Sequence, residues 1–337
     1  MKIDIFNHSF PAGYFEKMME VAPHHGDLGK RVRNVPMLMD LDRRFEVMDM
    51  FDDYCQILSI AGPPTEVLCG PDVAPELARR ANDGMAELVQ KYPDRFPGFT
   101  ASLPMNNPEA ALAETRRAIG ELGACGVQVY SNAAGRPLDD PGFAPIFDAM
   151  ADYDLPIWLH PARGANFPDY LTEDKSKYEI WWTFGWPYET SVAMARLVFS
   201  GLFDKHPDIK FITHHMGAMV PYFEGRVGPG WDQLGARTSD EDYGALLKTL
   251  KKRPLDYFKL FYADTALFGS VAGTKCGLEF FGADNVVFAS DAPFDPEKGP
   301  MYIRETIDII DHLDISDADR DKIYRTNAER LLKIKVN

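Results

Sequence analysis

The sequence predicts an α/β fold, a closed (β/α)8 barrel of the TIM type in which eight parallel strands are each followed by a helix. Short β-branched or aromatic runs alternate with longer amphipathic runs along almost the whole chain, as expected for parallel strands joined by crossover helices. The alternation occurs eight times, which favours a closed barrel over an open sheet. The 337 residues exceed the ~250 of a typical barrel. We therefore expect one barrel domain spanning 1–337, with room for insertions.

The expected strands are short apolar runs that precede amphipathic segments. In chain order they are Lys2–His8, Tyr54–Ala61, Gly98–Leu103, Gly126–Ser131, Pro156–His160, Ile209–His214, Lys259–Thr265 and Asn285–Ser290. Between them, amphipathic patterns with endings near Gly or Pro predict helices. Examples are Asp72–Lys91, Asn107–Leu122, Ser191–Asp204 and Ser270–Phe281, and the tail Asp319–Asn337 predicts a closing helix.

Three segments are longer than the connections usual in such a fold: Ser9–Asp40, Pro161–Thr190 and Gly228–Pro254. Long loops that follow barrel strands build the functional site. The first two, which follow strands 1 and 5, are therefore predicted to be lids. The third follows the helix expected after strand 6. It is expected at the amino-terminal end of the barrel or at a contact between subunits.

The composition is that of a globular protein with a strong acidic excess. There are 51 acidic and 36 basic side chains, a formal net charge of −15, which disfavours nucleic acid and anionic membrane surfaces as partners. No apolar run approaches the ~20 residues that a bilayer crossing needs, and Asp4, Asn7 and His8 interrupt any signal-peptide core at the start. The four cysteines form no C-x-x-C pair, so neither a disulfide framework nor a thiolate metal cage is expected. These features predict a cytoplasmic protein.

Histidines and one aspartate fall where a barrel keeps its chemistry. His8, His160 and the pair His214 and His215 lie at or just past the ends of strands 1, 5 and 6, and Asp291 follows strand 8. The carboxyl ends of barrel strands surround the active site. Strand 8 neighbours strand 1 and strand 5 stands across the mouth, so the side chains of His8, His160 and Asp291 can converge. Two imidazoles, a carboxylate and an open position suit one catalytic divalent ion, with zinc or manganese expected first.

The remaining polar signals are more ambiguous. Strand alternation sends His214 and His215 to opposite sides, so only one of them should face the mouth. Asp264, near the end of strand 7, is more simply explained as a rim residue hydrogen-bonded to a neighbouring loop than as a catalytic group. Arg163 is a candidate to hold a substrate carboxylate through its guanidinium fork.

An aromatic run, EIWWTFGWPYET, lies inside the second long segment. It would either line a pocket for an aromatic or conjugated substrate or pin the loop through buried rings. The sequence leaves the two open. It lacks a P-loop, a G-x-G-x-x-G after a strand and a G-x-S-x-G elbow, so nucleotide-binding and serine-hydrolase functions have no support.

Several segments in the right order resemble the amidohydrolase superfamily. They are IDIFNHSFP, DLPIWLHPARG, PYETSVAMARLVFSGLFDKHPDIKFITHHMGAMVPYFEGRV, VVFASDAPFDP and TNAERLLKI. The branch most similar is the aminocarboxymuconate-semialdehyde decarboxylase family, which includes resorcylate and carboxyvanillate decarboxylases. The resemblance implies a (β/α)8 barrel with one divalent metal and, usually, cleavage of a C–C bond with release of carbon dioxide.

The resemblance also implies roles for individual residues. The metal ligands fall on His8, His160 and Asp291, and the acid/base histidine beside the metal-bound water falls on His215. Trp182 falls where relatives have a pocket tryptophan. Arg226 falls where some relatives have an arginine that reaches a neighbouring subunit's site, which implies a homodimer or higher homo-oligomer.

Two positions depart from the family pattern. The family usually begins with H-x-H or E-x-H, but the first position here is Phe6, which places an apolar ring on the same face as His8. We therefore count Phe6 among the substrate-binding residues rather than the ligands. Ala218 stands where aromatic-acid decarboxylases often have a glutamate, so His215 would lack its usual orienting partner.

The sequence thus predicts a metal-dependent decarboxylase acting on a small aromatic or conjugated carboxylic acid, with Asp291 or His215 giving the proton. One alternative is a metal-dependent hydrolase of a lactone or amide. The other is a barrel without catalytic activity that binds a small molecule.

Overall fold

The computed structural model describes residues 1–24, 29–238 and 240–336, and contains every strand predicted from the sequence. The strand segments in that part of the chain are β1 (Lys2–Ser9), β2 (Tyr54–Ile60), β3 (Gly98–Phe99), β4 (Ala101–Ser102), β5 (Val127–Tyr130), β6 (Asn132–Ala133), β7 (Arg136–Pro137), β8 (Ile157–His160), β9 (Phe211–Thr213), β10 (Tyr262–Asp264) and β11 (Val286–Val287). The segments β3 and β4 form one barrel strand interrupted at Thr100, and β6 and β7 form a small antiparallel ribbon.

The α-helices mostly follow the strands in the expected alternation. They are α1 (Ala12–Val21), α2 (Gly29–Arg33), α3 (Leu41–Met48), α4 (Thr65–Leu68), α5 (Ala74–Lys91), α6 (Pro108–Gly120), α7 (Ala144–Tyr153), α8 (Ile180–Thr183), α9 (Gly185–Phe199), α10 (Leu202–Lys205), α11 (Tyr243–Thr249), α12 (Pro254–Phe258), α13 (Val271–Phe281), α14 (Pro300–Asp311), α15 (Asp317–Asp321) and α16 (Asn327–Leu332). No helix in the described ranges is both long and apolar enough to cross a bilayer.

Several helix boundaries differ from the sequence prediction. The helix predicted as Ser191–Asp204 begins earlier, at Gly185, and ends at Phe199, and Leu202–Lys205 forms the separate helix α10. Pro187 is tolerated in the first turn of α9, where no backbone N–H is needed. The closing helix predicted to run through the tail ends at Leu332, where Lys333 takes a left-handed conformation with φ of 55°. The helix predicted as Ser270–Phe281 agrees closely with α13, and Ser270 caps it by accepting a hydrogen bond from the Gly273 amide.

The long segments carry short helices of their own. The first contains α1 and α2, although residues 25–28 within it lie outside the described part of the chain. The second contains α8 and the start of α9. The third contains α11.

The strands form a closed ring. Parallel pairing runs through β1, β2 and β3, and separately through β11, β10, β9, β8, β5 and β4. The gap between β11 and β1 is bridged by backbone hydrogen bonds from the Ile5 amide to the Phe288 carbonyl (3.0 Å), from His8 to Ala292 (2.8 Å) and from Asp291 to Phe6 (3.0 Å). The predicted barrel is confirmed, and its closure places the end of β1 directly beside Asp291.

The barrel interior is apolar towards the end opposite the polar strand tips. Residues from β1, β2, β8, β9 and β11 meet in one buried cluster, against which Leu331 and Leu332 of α16 pack. Trp158 lies within this cluster and donates its indole N–H to the Ile5 carbonyl (3.1 Å). A larger buried cluster fills the space between the strands and the surrounding helices. The two clusters hold the strand tips that carry the polar side chains.

A buried carboxyl group, Asp4, ties three parts of the ring together. One of its oxygens accepts hydrogen bonds from the amides of Phe6 (3.3 Å) and Ser290 (3.1 Å). The other accepts from the hydroxyls of Tyr54 on β2 and of Ser290. Burial raises the pKa of Asp4 from its ordinary 3.8 to about 6, and the bonds from Ser290 and Tyr54 oppose that rise. Asp4 therefore adds polar contacts where β1 meets β2 and the segment after β11.

This shift predicts a stability difference that depends on pH. Because the pKa of Asp4 is higher in the folded protein, Asp4 contributes most to folding below pH 4, and that contribution is lost as the pH rises through about 6. Between pH 4 and pH 7 the free energy of unfolding of the wild type should fall relative to that of Asp4→Asn by about 2–3 kcal/mol. Urea unfolding at several pH values measures this difference, and a difference independent of pH would contradict the assignment.

Candidate active site and metal centre

The tips of four strands bring buried polar side chains to one point at the carboxyl end of the barrel. His8 is the penultimate residue of β1 and His160 is the last residue of β8, while His214 follows β9 and Asp291 follows β11. The ring centroids of His8 and His160 are 5.6 Å apart, and those of His160 and His214 are 5.4 Å apart. The Nε2 atom of His8 lies 2.9 Å from Oδ1 of Asp291. The structure therefore brings together the three residues that the sequence predicted to converge, and adds His214.

The hydrogen bonds around His8 fix which of its nitrogens is free. The Ser59 hydroxyl donates its proton to the Asn7 carbonyl (2.6 Å), so its oxygen accepts from Nδ1 of His8 (3.1 Å). Nε2 of His8 then carries a lone pair that faces the Asp291 carboxylate. Two electron-rich atoms 2.9 Å apart require a proton or a cation between or beside them.

His160 and His214 are oriented in the same way. Nδ1 of His160 donates to the Pro161 carbonyl (2.7 Å), and Nδ1 of His214 donates to the Asp264 carboxylate. When these rings are neutral, each Nε2 is left with a lone pair. The Nε2 of His214 is buried and has no hydrogen-bond partner. An acceptor on Nδ1 is the usual partner of a metal-ligating histidine.

These donors fit a divalent metal ion. One ring nitrogen from each of His8, His160 and His214 lies within 4.8 Å of the others, and ligand atoms of His214, His215 and Asp291 form a second group of the same size. Neutral imidazole nitrogens and an anionic carboxylate oxygen suit zinc, manganese or iron. The orphaned Nε2 of His214 is a further sign that the site is built around a positive charge.

The titration of these groups agrees with that arrangement. Burial lowers the pKa of His160 well below its ordinary range, and the neighbouring His214 and His8 add to the effect. Burial tends to raise the pKa of Asp291, but its contacts with His214, His215 and His8 outweigh this and hold the pKa well below its ordinary value. Burial alone would lower the pKa of His214, but the carboxylates of Asp264 and Asp291 outweigh burial and raise it to about 9. The carboxylates thus favour a positive charge at this point.

The prediction that only one of the histidine pair faces the mouth is wrong. The His214 and His215 ring centroids are 3.7 Å apart, and Nε2 of His215 lies 3.8 Å from Oδ2 of Asp291. Alternation holds only within a strand, and β9 ends at Thr213. His215 has a left-handed backbone with φ of 55°, which turns its ring back towards the site.

Asp264 is a hydrogen-bonded residue, as the sequence suggested, but its partners belong to the site. Besides Nδ1 of His214, it accepts from the backbone amides of His215 and Ala266 (3.0 Å each). Ala218 offers no carboxylate to orient His215, as predicted. Through the His215 amide, Asp264 instead holds the backbone of the residue to which we assign acid/base chemistry.

Phe6 lies at the centre of the histidine cluster. Its ring centroid is 4.1 Å from that of His214, 4.9 Å from that of His8 and 5.6 Å from that of His160. The side chain is fully buried. The ring therefore packs against the imidazoles and offers no donor atom.

Aromatic rings surround the cluster. Tyr130 lies 4.8 Å from His160 and Trp186 lies 5.9 Å from it, measured between ring centroids. Phe294 lies 5.5 Å from His8, and Phe268 lies 5.1 Å from His215. We call these four residues and Phe6 the aromatic wall. Such a wall suits a flat, apolar ring bound next to polar donors.

The tryptophan of the aromatic run that lies beside His160 is Trp186, and the substrate-binding role of Trp182 stays a prediction. Trp182 is 37% exposed, donates to Glu179, and contacts Trp186 rather than a histidine. Trp186 stands between it and His160, with its indole N–H donated to the Arg163 carbonyl (3.1 Å). The run thus both lines the site and pins the loop. The sequence contains Trp186, but its position beside His160 depends on the break between α8 and α9, which the sequence pattern did not predict.

The two predicted arginines lie outside the cluster within this chain. The Arg163 guanidinium pairs with Glu189 (2.7 Å) and stacks over Phe167. Arg226 is exposed and lines a groove of about 940 Å³ whose lining includes neither the clustered histidines nor Asp291. Their roles in substrate binding stay predictions.

Comparison with known proteins places this geometry in context. A family model described as Amidohydrolase matches residues 48–334. The γ-resorcylate decarboxylase of Polaromonas sp. (strain JS666) is 36% identical over 318 residues, covering 88% of this chain and 89% of that enzyme. The 2-amino-3-carboxymuconate-6-semialdehyde decarboxylase of Dictyostelium discoideum is 28% identical over 298 residues, covering 88% of this chain and 78% of its own.

One solved structure is similar to this chain in both fold and sequence. The 5-carboxyvanillate decarboxylase of Novosphingobium aromaticivorans, complexed with manganese and 4-hydroxy-3-methoxy-5-nitrobenzoic acid, superposes with a TM-score of 0.82 at 27% identity. The match covers 99% of this chain and 96% of that one. The barrel is thus the fold of a protein solved with manganese and an aromatic acid.

The hydrogen bond from His8 to Ser59 generates a prediction about metal affinity. Replacing Ser59 by Ala removes the acceptor that orients His8, so the affinity for manganese should fall by about 10- to 100-fold. Ser9→Ala is the matched control, because its hydroxyl contacts the Leu38 carbonyl instead. Titration calorimetry of the metal-free variants with manganese chloride measures both affinities. Equal affinities in Ser59→Ala and the wild type would contradict the role given to His8.

Proposed function

The chain belongs to the amidohydrolase family, and from that membership we propose that it is a metal-dependent decarboxylase, a carboxy-lyase, acting on a small aromatic or conjugated carboxylic acid. The observation that carries the proposal is the convergence of buried imidazoles and one carboxylate inside an aromatic wall. The decarboxylase relatives at up to 36% identity over most of the chain support the same reaction.

The residues that would hold the ion are His8, His160 and Asp291, the set predicted from the sequence. Manganese in the carboxyvanillate decarboxylase structure supports that metal, and zinc stays an alternative with the same donors. When bound, the ion supplies Lewis-acid attraction for the substrate's carboxylate and an oxygen beside it. In a protein of net charge −15, an anionic substrate needs such a local positive charge.

The aromatic wall gives the substrate ring its place. Trp186 and Tyr130 flank His160, and Phe294 flanks His8. A planar ring bound among them would have its carboxylate directed at the polar cluster. With a substrate bound, these apolar rings would limit the access of water, which favours formation of neutral carbon dioxide from a carboxylate.

The two oxygens of Asp291 face different neighbours. Oδ1 faces His8 (2.9 Å) and His214 (3.4 Å), whereas Oδ2 faces His215 (3.8 Å). In decarboxylation, the bond between the ring carbon and the carboxyl carbon breaks, its electron pair stays on the ring carbon, and that carbon takes a proton. Asp291 Oδ2 and His215 Nε2, 3.8 Å apart, are the groups placed to pass that proton to the carbon, and water then replaces it.

Assembly and location stay predictions. A homodimer in which Arg226 reaches the partner's site is supported by its exposure on a groove shared with Tyr188, Phe223 and Trp231. A cytoplasmic location is supported by the cysteines, all free in the described chain.

The test of the proposed reaction is release of carbon dioxide. The manganese-loaded protein should release carbon dioxide from 2,6-dihydroxybenzoate or 5-carboxyvanillate, and His160→Ala should lose this activity because a predicted ligand is removed. His312→Ala, at an exposed helix end, is the control. A folded His160→Ala variant with unchanged activity would reject the mechanism. Oxygen-18 from water in the organic product, rather than in carbon dioxide, would indicate the hydrolase instead.

The position of Trp186 predicts a contrast between neighbouring tryptophans. Trp186→Ala removes a ring of the aromatic wall, and we expect kcat/KM to fall by about 5- to 30-fold, equivalent to about 1–2 kcal/mol. Trp182→Ala, which removes an exposed ring of the same run, should change kcat/KM much less. Steady-state kinetics on the same substrate compare the two. A larger loss in Trp182→Ala would restore the original prediction for that residue.

A further inference from the structure

We propose that His214 is a ligand of the divalent ion, giving a site of three imidazoles and one carboxylate from His8, His160, His214 and Asp291. This inference rests on the metal dependence of the proposed function and extends it to a residue that neither the strand pattern nor the family resemblance assigned to the ion.

The buried Nε2 of His214 is unpaired. His214 is 2% exposed, and its Nε2 has no hydrogen-bond partner. Oδ1 of Asp291, the same oxygen that faces His8, lies 3.4 Å from this nitrogen. Buried polar atoms are almost always paired. An unpaired imidazole nitrogen directed towards a carboxylate and two further imidazoles is the arrangement that a cation completes.

The ring of His214 is also anchored by a carboxylate. The Asp264 carboxylate holds Nδ1 of His214 and is itself held by the amides of His215 and Ala266. A carboxylate on one ring nitrogen makes the other nitrogen more basic and fixes its direction. His8 and His160 have weaker acceptors at the same atom, a hydroxyl and a carbonyl. His214 is therefore as strongly prepared for coordination as the two histidines predicted from the sequence.

His214 also connects the two groups of ligand atoms in the site. It belongs to one group with His8 and His160 and to the other with His215 and Asp291. The ring of Phe6 packs 4.1 Å from that of His214 and has no donor atom, so His8 is the one ligand from β1. His214, which follows β9, would supply the third nitrogen donor.

This donor set has a consequence for metal choice. Three imidazole nitrogens and one carboxylate favour manganese, iron or zinc over magnesium and calcium, which prefer oxygen. Manganese should therefore bind in the presence of a large excess of magnesium.

Pulsed electron paramagnetic resonance of the manganese-loaded protein tests the assignment directly, because it counts imidazole nitrogens coupled to the ion. The wild type should show three coordinated imidazoles, and His214→Leu should show two, with manganese affinity lowered by at least about tenfold. His312→Leu, at an exposed position, should match the wild type. Two coordinated imidazoles in the wild type, unchanged in His214→Leu, would overturn the proposal.

A second variant covers the case in which His214→Leu does not fold. Asp264→Asn keeps the shape of the side chain and removes the charge that prepares His214, so manganese affinity should fall by about 10- to 100-fold. Unchanged affinity in folded Asp264→Asn would also count against the proposal. The nitrogen count in the wild type needs no variant at all.

These measurements separate this inference from the proposed function. Release of carbon dioxide by a protein with only two coordinated imidazoles would leave the decarboxylase intact and reject the role of His214. Three coordinated imidazoles without release of carbon dioxide would support the role of His214 and reject the proposed decarboxylase.

Discussion

The site depends on the contact between His8 and Asp291, made where the last barrel strand meets the first. Backbone hydrogen bonds from Asp291 to Phe6 and from His8 to Ala292 close the ring at that point. They set Nε2 of His8 2.9 Å from Oδ1 of Asp291, although 283 positions separate the two residues in sequence. Without that closure, the histidines of the other strands would have no carboxylate to share.

The surroundings of this contact are unusually polar for a barrel interior. Arg44 is fully buried and donates to the carbonyls of His8 and Met37 and to the side chains of Asn7 (3.1 Å) and Gln56 (2.6 Å). Buried charge lowers stability unless its hydrogen bonds are satisfied. The hydrogen bonds of Arg44 offset the loss of stability from its burial, and they also fix the backbone that carries His8. A rigid site holds its donor atoms in place.

The fold could be predicted from sequence because it depends on a repeated local pattern. Each strand is a short buried run between helical segments, so all eight were located, and the rule for strand tips brought His8, His160 and Asp291 together. The rest depended on contacts that no local pattern encodes. Arg163 pairs with Glu189, 26 residues away, and Trp186 replaces Trp182 beside His160 because a helix break turns the run.

The histidine pair shows the limit of the strand rule most clearly. Alternation predicts opposite faces for His214 and His215 only if the strand continues. It ends at Thr213, and the left-handed backbone at His215 and Met216 turns both rings into the site. Such conformations are uncommon outside glycine and tend to occur at functional positions. No period-two argument could have found them, although two adjacent histidines at a strand tip were the available signal.

The most direct test of the central claim is an anomalous difference map from crystals of the manganese-loaded protein, recorded at the manganese absorption edge. Our account predicts one strong peak at the carboxyl end of the barrel, in contact with His8, His160 and Asp291. A peak elsewhere, or those side chains paired only with one another in fully loaded protein, would contradict it.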